Sequence, residues 1–348
     1  MTRPLDVVLC GYYGFGNLGD ELLARSLVEL LEEGGIPRSR VGILSADPAG
    51  TRRALGTESA DRWSLPGVAR MLGRSRTLLL GGGGLLQDAT SLRSCVYYWG
   101  VVQTARCRGC TPWAFGQSVG PLGSPLARRV ARGALAPCVV RVVRDRPSLE
   151  AVRGLGLGET ELAPDPVLGL SLPRLAPGRG TGRLGVNLRP WKGEAREGAI
   201  RALRELAERA GRTFVGLALA EEDRFCLAEA RDRQGLPLEE IRLLDSPESF
   251  SAAAAEMDGL VAMRLHALVL SVLAGLPAAA VPYDPKVTAF AEEWGLPAWT
   301  PRSGWSAVPF PQPGSEPSRE RLEETRGLLR AALTRCLERL RGTGGWGA

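Results

Sequence analysis

Short apolar runs alternate with segments of helical length along the whole chain, and this rhythm constrains the fold more than any other feature. A strand buried on both faces reads as a continuous apolar, β-branched run, and its parallel neighbour is reached through a crossover, usually a helix. Strands are therefore expected at Asp6–Cys10, Arg40–Ser45, Thr77–Leu80, Pro112–Phe115 and Val139–Arg144. Helices are expected at Glu21–Glu33, Ser91–Arg106, Ser124–Leu135 and Pro147–Leu155. Leu172–Arg183, rich in Pro, Gly and Arg, reads as a linker. The alternation then restarts, with strands at Leu184–Leu188, Thr213–Leu219, Ile241–Leu244, Gly259–Met263 and Ala278–Pro282. Helices fit Arg196–Ala210, Glu221–Arg233, Pro247–Met257, His266–Leu273 and Val287–Trp294. Pro297–Pro317 reads as loop, and Ser318 as the N-cap of a final helix over Arg319–Arg341, followed by a Gly-rich tail.

The pattern predicts an α/β protein of two Rossmann-like domains, 1–175 and 182–348, with the final helix 319–341 in the second. The two are expected to face a cleft that receives the carboxyl ends of both sheets, where open α/β folds bind ligands. A length of 348 residues suits two domains.

Several function classes are disfavoured. No run approaches 18 uninterrupted apolar residues, which excludes a transmembrane helix. Val7–Cys10 leads straight into a glycine loop, so it reads as a strand and not as a signal peptide, and a cytoplasmic location is expected. Seven cysteines, an odd number and several of them in apolar runs, read as reduced core residues. Cys107 and Cys110 form a lone CxxC with no second pair and one histidine in the chain, which disfavours a closed four-ligand zinc site and leaves a redox pair as the lesser reading, so no metal is expected. Of the 44 basic residues only Lys192 and Lys286 are lysines, leaving 42 arginines. The net charge of +6 is dispersed without basic runs, which argues against nucleic-acid binding. A lysine retained against such a skew marks a place where a compact ammonium is needed.

Polar residues gather where the expected strands end. The first strand runs into Gly11-Tyr12-Tyr13-Gly14-Phe15-Gly16-Asn17-Leu18-Gly19-Asp20-Glu21. Gly14, Gly16 and Gly19 form a GxGxxG, the dinucleotide fingerprint. Asp20 and Glu21, however, stand where a helix N-terminus would receive a pyrophosphate, and they would repel it. The loop is better read as presenting Asn17 and Asp20 to a hydroxyl-rich ligand, with Asp20 either a base or a helix cap. The third strand ends in Gly81–Gly84, then Leu85, Leu86, Gln87 and Asp88. Four glycines allow close approach to a ligand, or tight packing of one loop on another. Gln117 follows the fourth strand in a turn, and Arg144 ends the fifth, either facing the cleft or paired with Asp145. In the second half Arg264 and His266 leave a strand and open a helix, while Lys286 stands at the adjacent strand end. Three cations at helix N-termini suggest a small, strongly anionic ligand carrying phosphate or carboxylate.

Taken together, GYYGFGNLGDE, GGGGLLQD, GQSVGP, VVRD, MRLH and YDPK resemble the polysaccharide pyruvyl transferases of the CsaB type, over roughly residues 5–300. The resemblance implies a fold like that of GT-B glycosyltransferases. It also implies transfer of pyruvate from phosphoenolpyruvate onto two sugar hydroxyls as a ketal, with release of phosphate. The implied acceptor is N-acetylmannosamine in a lipid-linked precursor of the secondary cell-wall polymer that anchors S-layer proteins. By motif, Arg144, His266 and Lys286 match the family's phosphoenolpyruvate-binding residues, with Arg264 a competitor for the arginine role. His266 is the expected general acid or phosphate anchor, and Asp20 the expected base. The acceptor is expected against Asn17, Asp20, Gly83, Gln87, Asp88 and Gln117. No resident cofactor is implied, phosphoenolpyruvate being a co-substrate. A lipid-linked acceptor implies contact with the cytoplasmic membrane face, and a homo-oligomer is allowed. The alternatives are a GT-B glycosyltransferase using a nucleotide sugar, a dinucleotide-dependent oxidoreductase and a non-catalytic sugar-binding scaffold.

Overall fold

The strands assemble into two wholly parallel sheets in a computed structural model that describes residues 3–89, 92–176, 181–191, 194–211, 213–299 and 316–342. Lys192, most of Pro297–Pro317, part of the Leu172–Arg183 segment and the tail beyond Gly342 lie outside the described residues. Contacts divide the chain into two units. Met1–Phe15, Asp20–Gly169 and Glu324–Ala348 form the first, and Gly16–Gly19 with Leu170–Glu323 form the second.

The first unit holds β1 (Leu5–Cys10), β2 (Val41–Ser45), β3 (Glu58–Asp61), β4 (Ser75–Leu86), β5 (Thr111–Val119), β6 (Arg141–Val143) and β7 (Glu161–Leu162). Their order is β3-β2-β1-β4-β5-β6-β7. All six residues of β1 are buried, as a central parallel strand covered on both faces requires. The crossovers are α1 (Leu18–Glu33), α2 (Pro48–Leu55), α3 (Leu65–Gly73), α4 (Leu92–Cys107), α5 (Pro125–Leu135) and α6 (Arg146–Gly154). Asp47, Ser64, Ser124 and Asp145 cap α2, α3, α5 and α6, each accepting from the amide three residues on, with Pro in the first turn.

The second unit holds β8 (Leu184–Asn187), β9 (Phe214–Ala218), β10 (Leu238–Leu243), β11 (Gly259–Ala262) and β12 (Ala278–Ala280), in the order β10-β9-β8-β11-β12. Its helices are α7 (Glu194–Ala210), α8 (Glu221–Gln234), α9 (Pro247–Ala254), α10 (Leu265–Ala274) and α11 (Pro285–Trp294). α10 is apolar almost all round and correspondingly buried; His266, in its first turn, is its one residue that is not. In both sheets the strand order reverses beside the first strand, at β1/β4 and at β8/β11. Such switch points open a crevice at the carboxyl ends of the strands.

The final helix departs from expectation. α12 (Arg319–Gly342) joins the first unit from Glu324 onward and not the second. Arg330, Arg335 and Arg339 pair with Glu33, Glu161 and Glu159, Arg326 donates to the Leu168 carbonyl, and Leu329 lies against Gly169. The chain therefore returns to the first unit to cover apolar surface beside α1.

Two further departures concern strand length. β4 runs through the whole glycine tetrad to Leu86, and β5 runs through Gln117 to Val119, where turns were expected. The glycines let other parts of the first unit pack onto the strand. A β-carbon at Gly81 would lie 2.6 Å from the Tyr13 hydroxyl, and one at Gly82 would lie 2.8 Å from Leu23. Tight packing thus accounts for Gly81 and Gly82, while nothing stands within 4 Å of a β-carbon built at Gly84.

Candidate active site

At the β1/β4 switch point the glycine loop is folded onto itself. Asn17 caps α1, its Oδ1 accepting from the Gly19 amide at 3.1 Å, and Glu21 Oε1 accepts from the Gly14 amide at 2.8 Å. The Tyr13 hydroxyl donates to the Gly81 carbonyl, and burial pushes its pKa well above the usual phenol value. Capping therefore belongs to Asn17, and the alternative reading of Asp20 as the cap is displaced. Asp20 lies in the first turn beside Gly83, where a β-carbon would come 3.3 Å from its Oδ1. A loop with one carboxylate in place beside its amides offers no vacant cradle for a pyrophosphate.

The acceptor candidates on β4 and β5 separate. Gln87 is half-buried at the end of β4. Asp88 clamps the following loop, its two oxygens accepting from the Gly123 and Ser124 amides at 2.8 Å each. Those two bonds hold its carboxyl below the usual range. Gln117 is fully buried, with Nε2 3.5 Å from the Gly82 carbonyl and Oε1 without a partner. Gln117 thus lies within a strand and not in the turn expected for it, because β5 continues past it.

Arg144, one residue beyond β6, has a side chain only 4% exposed. Its Nη1 donates to Asp165 at 2.8 Å and its Nε to the Ser118 hydroxyl at 2.8 Å, while Asp145 stands 4.0 Å away. The dominant partner is therefore Asp165 and not the neighbour in sequence. Asp145 instead caps α6.

In the second unit Asn187 ties β8 to β9 and to the start of α10. Its Nδ2 donates to the Leu217 carbonyl and its Oδ1 accepts from the Arg264 amide, each bond within 2.9 Å. Arg264 then turns away from the helix terminus it caps. Its Nε and Nη2 bond the wholly buried Asp223, and Nη2 also reaches Glu222 at 2.6 Å. Burial opposes its charge, but the Asp223 carboxylate outweighs that, and its pKa stands above the usual arginine value. An arginine so enclosed is held by two carboxylates, which compete with any anion for its charge.

His266 remains at the start of α10, packed on Gly19, which groups with this unit; the Leu18 amide beside it donates to the Leu219 carbonyl at 2.8 Å. Lys286 occupies the first turn of α11, where Asp284 caps the helix and lies 3.4 Å from Nζ. β11 and β12 are adjacent, so both residues stand at neighbouring strand ends, as expected. The sequence reading missed Arg189, two residues past β8, whose guanidinium lies over Trp191 and Tyr283. Its signal was position alone, an Arg-Pro pair closing a buried strand. Among the described residues no group of three or more His, Cys, Asp or Glu is placed to hold a metal ion, and no helix is long and apolar enough to cross a membrane.

Comparison with known proteins agrees with this architecture. The family model described as polysaccharide pyruvyl transferase matches residues 17–285. Comparison with curated proteins finds no match. Among solved structures, Staphylococcus aureus MnaA with UDP is 10% identical with a TM-score of 0.54, covering 98% of this chain and 89% of that one. The UDP-GlcNAc 2-epimerase of Methanocaldococcus jannaschii, with UDP-GlcNAc and UDP, is 8% identical with a TM-score of 0.53, covering 94% and 92%. An α-glucosyltransferase bound to UDP and a 13-mer DNA is also 8% identical with a TM-score of 0.53, covering 97% and 93%. At these identities the likeness shows the fold alone, a GT-B-like pair of Rossmann-type units.

Proposed function

Because the chain belongs to the polysaccharide pyruvyl transferase family, we propose that it transfers pyruvate from phosphoenolpyruvate to two hydroxyls of a sugar, forming a ketal and releasing phosphate. The observation that carries the reading is the placement of His266. It is the chain's one histidine and the one residue of a buried helix left accessible, at the carboxyl end of β11 beside a switch point.

The chemistry balances on these groups. A proton delivered to the methylene carbon turns it into a methyl group and leaves an oxocarbenium-like centre at C2. One sugar hydroxyl adds to C2 and loses its proton. The C2–O bond to phosphate breaks, the second hydroxyl adds, and its proton leaves with the phosphate. His266 serves as general acid or phosphate anchor, with Lys286 holding donor anions and Asp20 taking a proton from the sugar. Arg144, whose fork Asp165 and Ser118 pre-orient, enters by its match to the family motif. Asn17, Gly83, Gln87 and Asp88 belong to the acceptor side in this reading. The proposed acceptor is an amino sugar, N-acetylmannosamine by resemblance, on a lipid-linked wall-polymer precursor met at the cytoplasmic membrane face.

Thermal unfolding with added ligands tests the donor. Phosphoenolpyruvate should raise Tm saturably in the wild type and fail to do so in His266→Ala. A shift with UDP and none with phosphoenolpyruvate would replace this reading with nucleotide-sugar glycosyl transfer.

A further inference from the structure

Arg189 differs in its partners from Arg264 and Arg144, the two arginines expected to meet the donor anions. Arg264 is enclosed by Asp223 and Glu222, and Arg144 is paired with Asp165. Arg189 has no carboxylate partner among the described residues; its one hydrogen bond runs from Nη1 to the Tyr283 hydroxyl at 2.8 Å. The guanidinium carbon lies 5.0 Å from the centroid of the Tyr283 ring and 5.7 Å from that of Trp191, and the two rings meet edge to face at 4.7 Å. Aromatic faces and one hydroxyl thus fix the side chain without neutralising it.

Two details point to a ligand. Nε is buried without a partner, an arrangement that is unfavourable and contributes nothing to stability. Nη2 likewise makes no hydrogen bond among the described residues, while the side chain as a whole is half-exposed. The position adds a third. Arg189 closes β8 and His266 follows β11, and these strands flank the switch point of the second sheet. Lys286 follows β12, the next strand.

We propose that Arg189 is an anion-binding residue of the donor site, contacting the phosphate or carboxylate of phosphoenolpyruvate in the place that the sequence suggested for Arg264. The inference rests on the pyruvyl-transfer reading. Tyr283 and Trp191 are its positioning residues, holding the guanidinium so that Nη2 presents a donor to an oxyanion.

The test measures Tm shifts with phosphoenolpyruvate, inorganic phosphate and pyruvate, together with KM and kcat, for wild type, Arg189→Ala, Arg189→Lys and Tyr283→Phe. Arg189→Ala should weaken phosphoenolpyruvate binding about tenfold to a hundredfold, with unliganded Tm preserved. Arg189→Lys should remain weakened, since an ammonium lacks the planar fork. Tyr283→Phe should raise KM more than it lowers kcat, and it keeps the question open to measurement if Arg189→Ala does not fold. Selective loss of the phosphate shift assigns Arg189 to the phosphate end, and selective loss of the pyruvate shift to the carboxylate end; either supports the proposal. Wild-type affinity in both folded Arg189 variants overturns it. Absence of any phosphoenolpyruvate response in the wild type overturns the pyruvyl-transfer reading, and this inference with it, and is recognisable because it appears before any substitution.

Discussion

Gly19 and His266 are packed so closely that a β-carbon on Gly19 would collide with Nδ1 of the imidazole and lie 2.9 Å from its Cγ. The glycine before Asp20 is therefore fixed by the histidine it touches, and not by a need for positive φ. Gly19→Ala should force the ring from its place. Displacement of about an ångström at a reacting group lowers rates about a hundredfold, whereas overpacking costs about 1–3 kcal/mol of stability. We expect kcat to fall by that order while the protein remains folded by circular dichroism, and unchanged kcat would separate His266 from the chemistry.

Asp223 and Arg264 should behave as one structural unit. Asp223→Ala leaves a buried guanidinium with only the exposed Glu222 as counter-charge and also removes the acceptor of the Leu219 amide. Breaking a buried pair in this way costs about 3–5 kcal/mol. Removing both charges, in Asp223→Leu with Arg264→Met, should cost less than Asp223→Ala alone. Urea unfolding of the single and double variants measures this, and additive losses would contradict the pairing.

Asp88 links stability to pH. Its folded-state pKa is depressed by the Gly123 and Ser124 amides, so the stability it contributes is fully present above its unfolded value of 3.8. That contribution is lost as pH falls through the lower folded value. Asp88→Asn, which keeps one acceptor but turns an amide group toward the second N–H, should lower Tm at pH 7. The gap between variant and wild type should close in acid, and a gap independent of pH would remove the carboxylate from the account.

The CxxC should not act as a redox pair. Cys107 is exposed, but burial pushes the Cys110 thiol up to about 12. Cys10, Cys138 and Cys336 are raised to the same value by the same cause. Thiol labelling of the native protein at pH 8 should therefore modify Cys107 rapidly and the six buried cysteines slowly. Rapid paired loss of Cys107 and Cys110 under mild oxidant would show a disulfide couple instead.

Most of the fold was legible because apolar runs report buried parallel strands directly, and in the second unit every expected strand overlaps an observed one. What escaped notice is physically intelligible. β3 (Glu-Ser-Ala-Asp) is a polar edge strand and β7 has two residues, so neither carries an apolar run. α2 and α3 did carry signals, Asp47-Pro48 and Ser64-Leu65-Pro66, but both are too short for a helical period to stand out. The site was legible as positions at strand ends and not as partnerships. Asp223 lies 41 residues from Arg264 and Asp165 lies 21 from Arg144, and no spacing rule links them. Charge at a strand end thus identified three arginine and lysine candidates, Arg144, Arg264 and Lys286, without showing which of them a carboxylate already holds.

The central claim is tested most directly by phosphate release. The full chain, phosphoenolpyruvate and an N-acetylmannosamine-containing acceptor should yield phosphate and pyruvyl ketal in equal amounts, the ketal read by mass spectrometry of the acceptor. Release should require both substrates and disappear in His266→Ala. Acceptor modified from a UDP-sugar, with phosphoenolpyruvate left intact, would contradict the account.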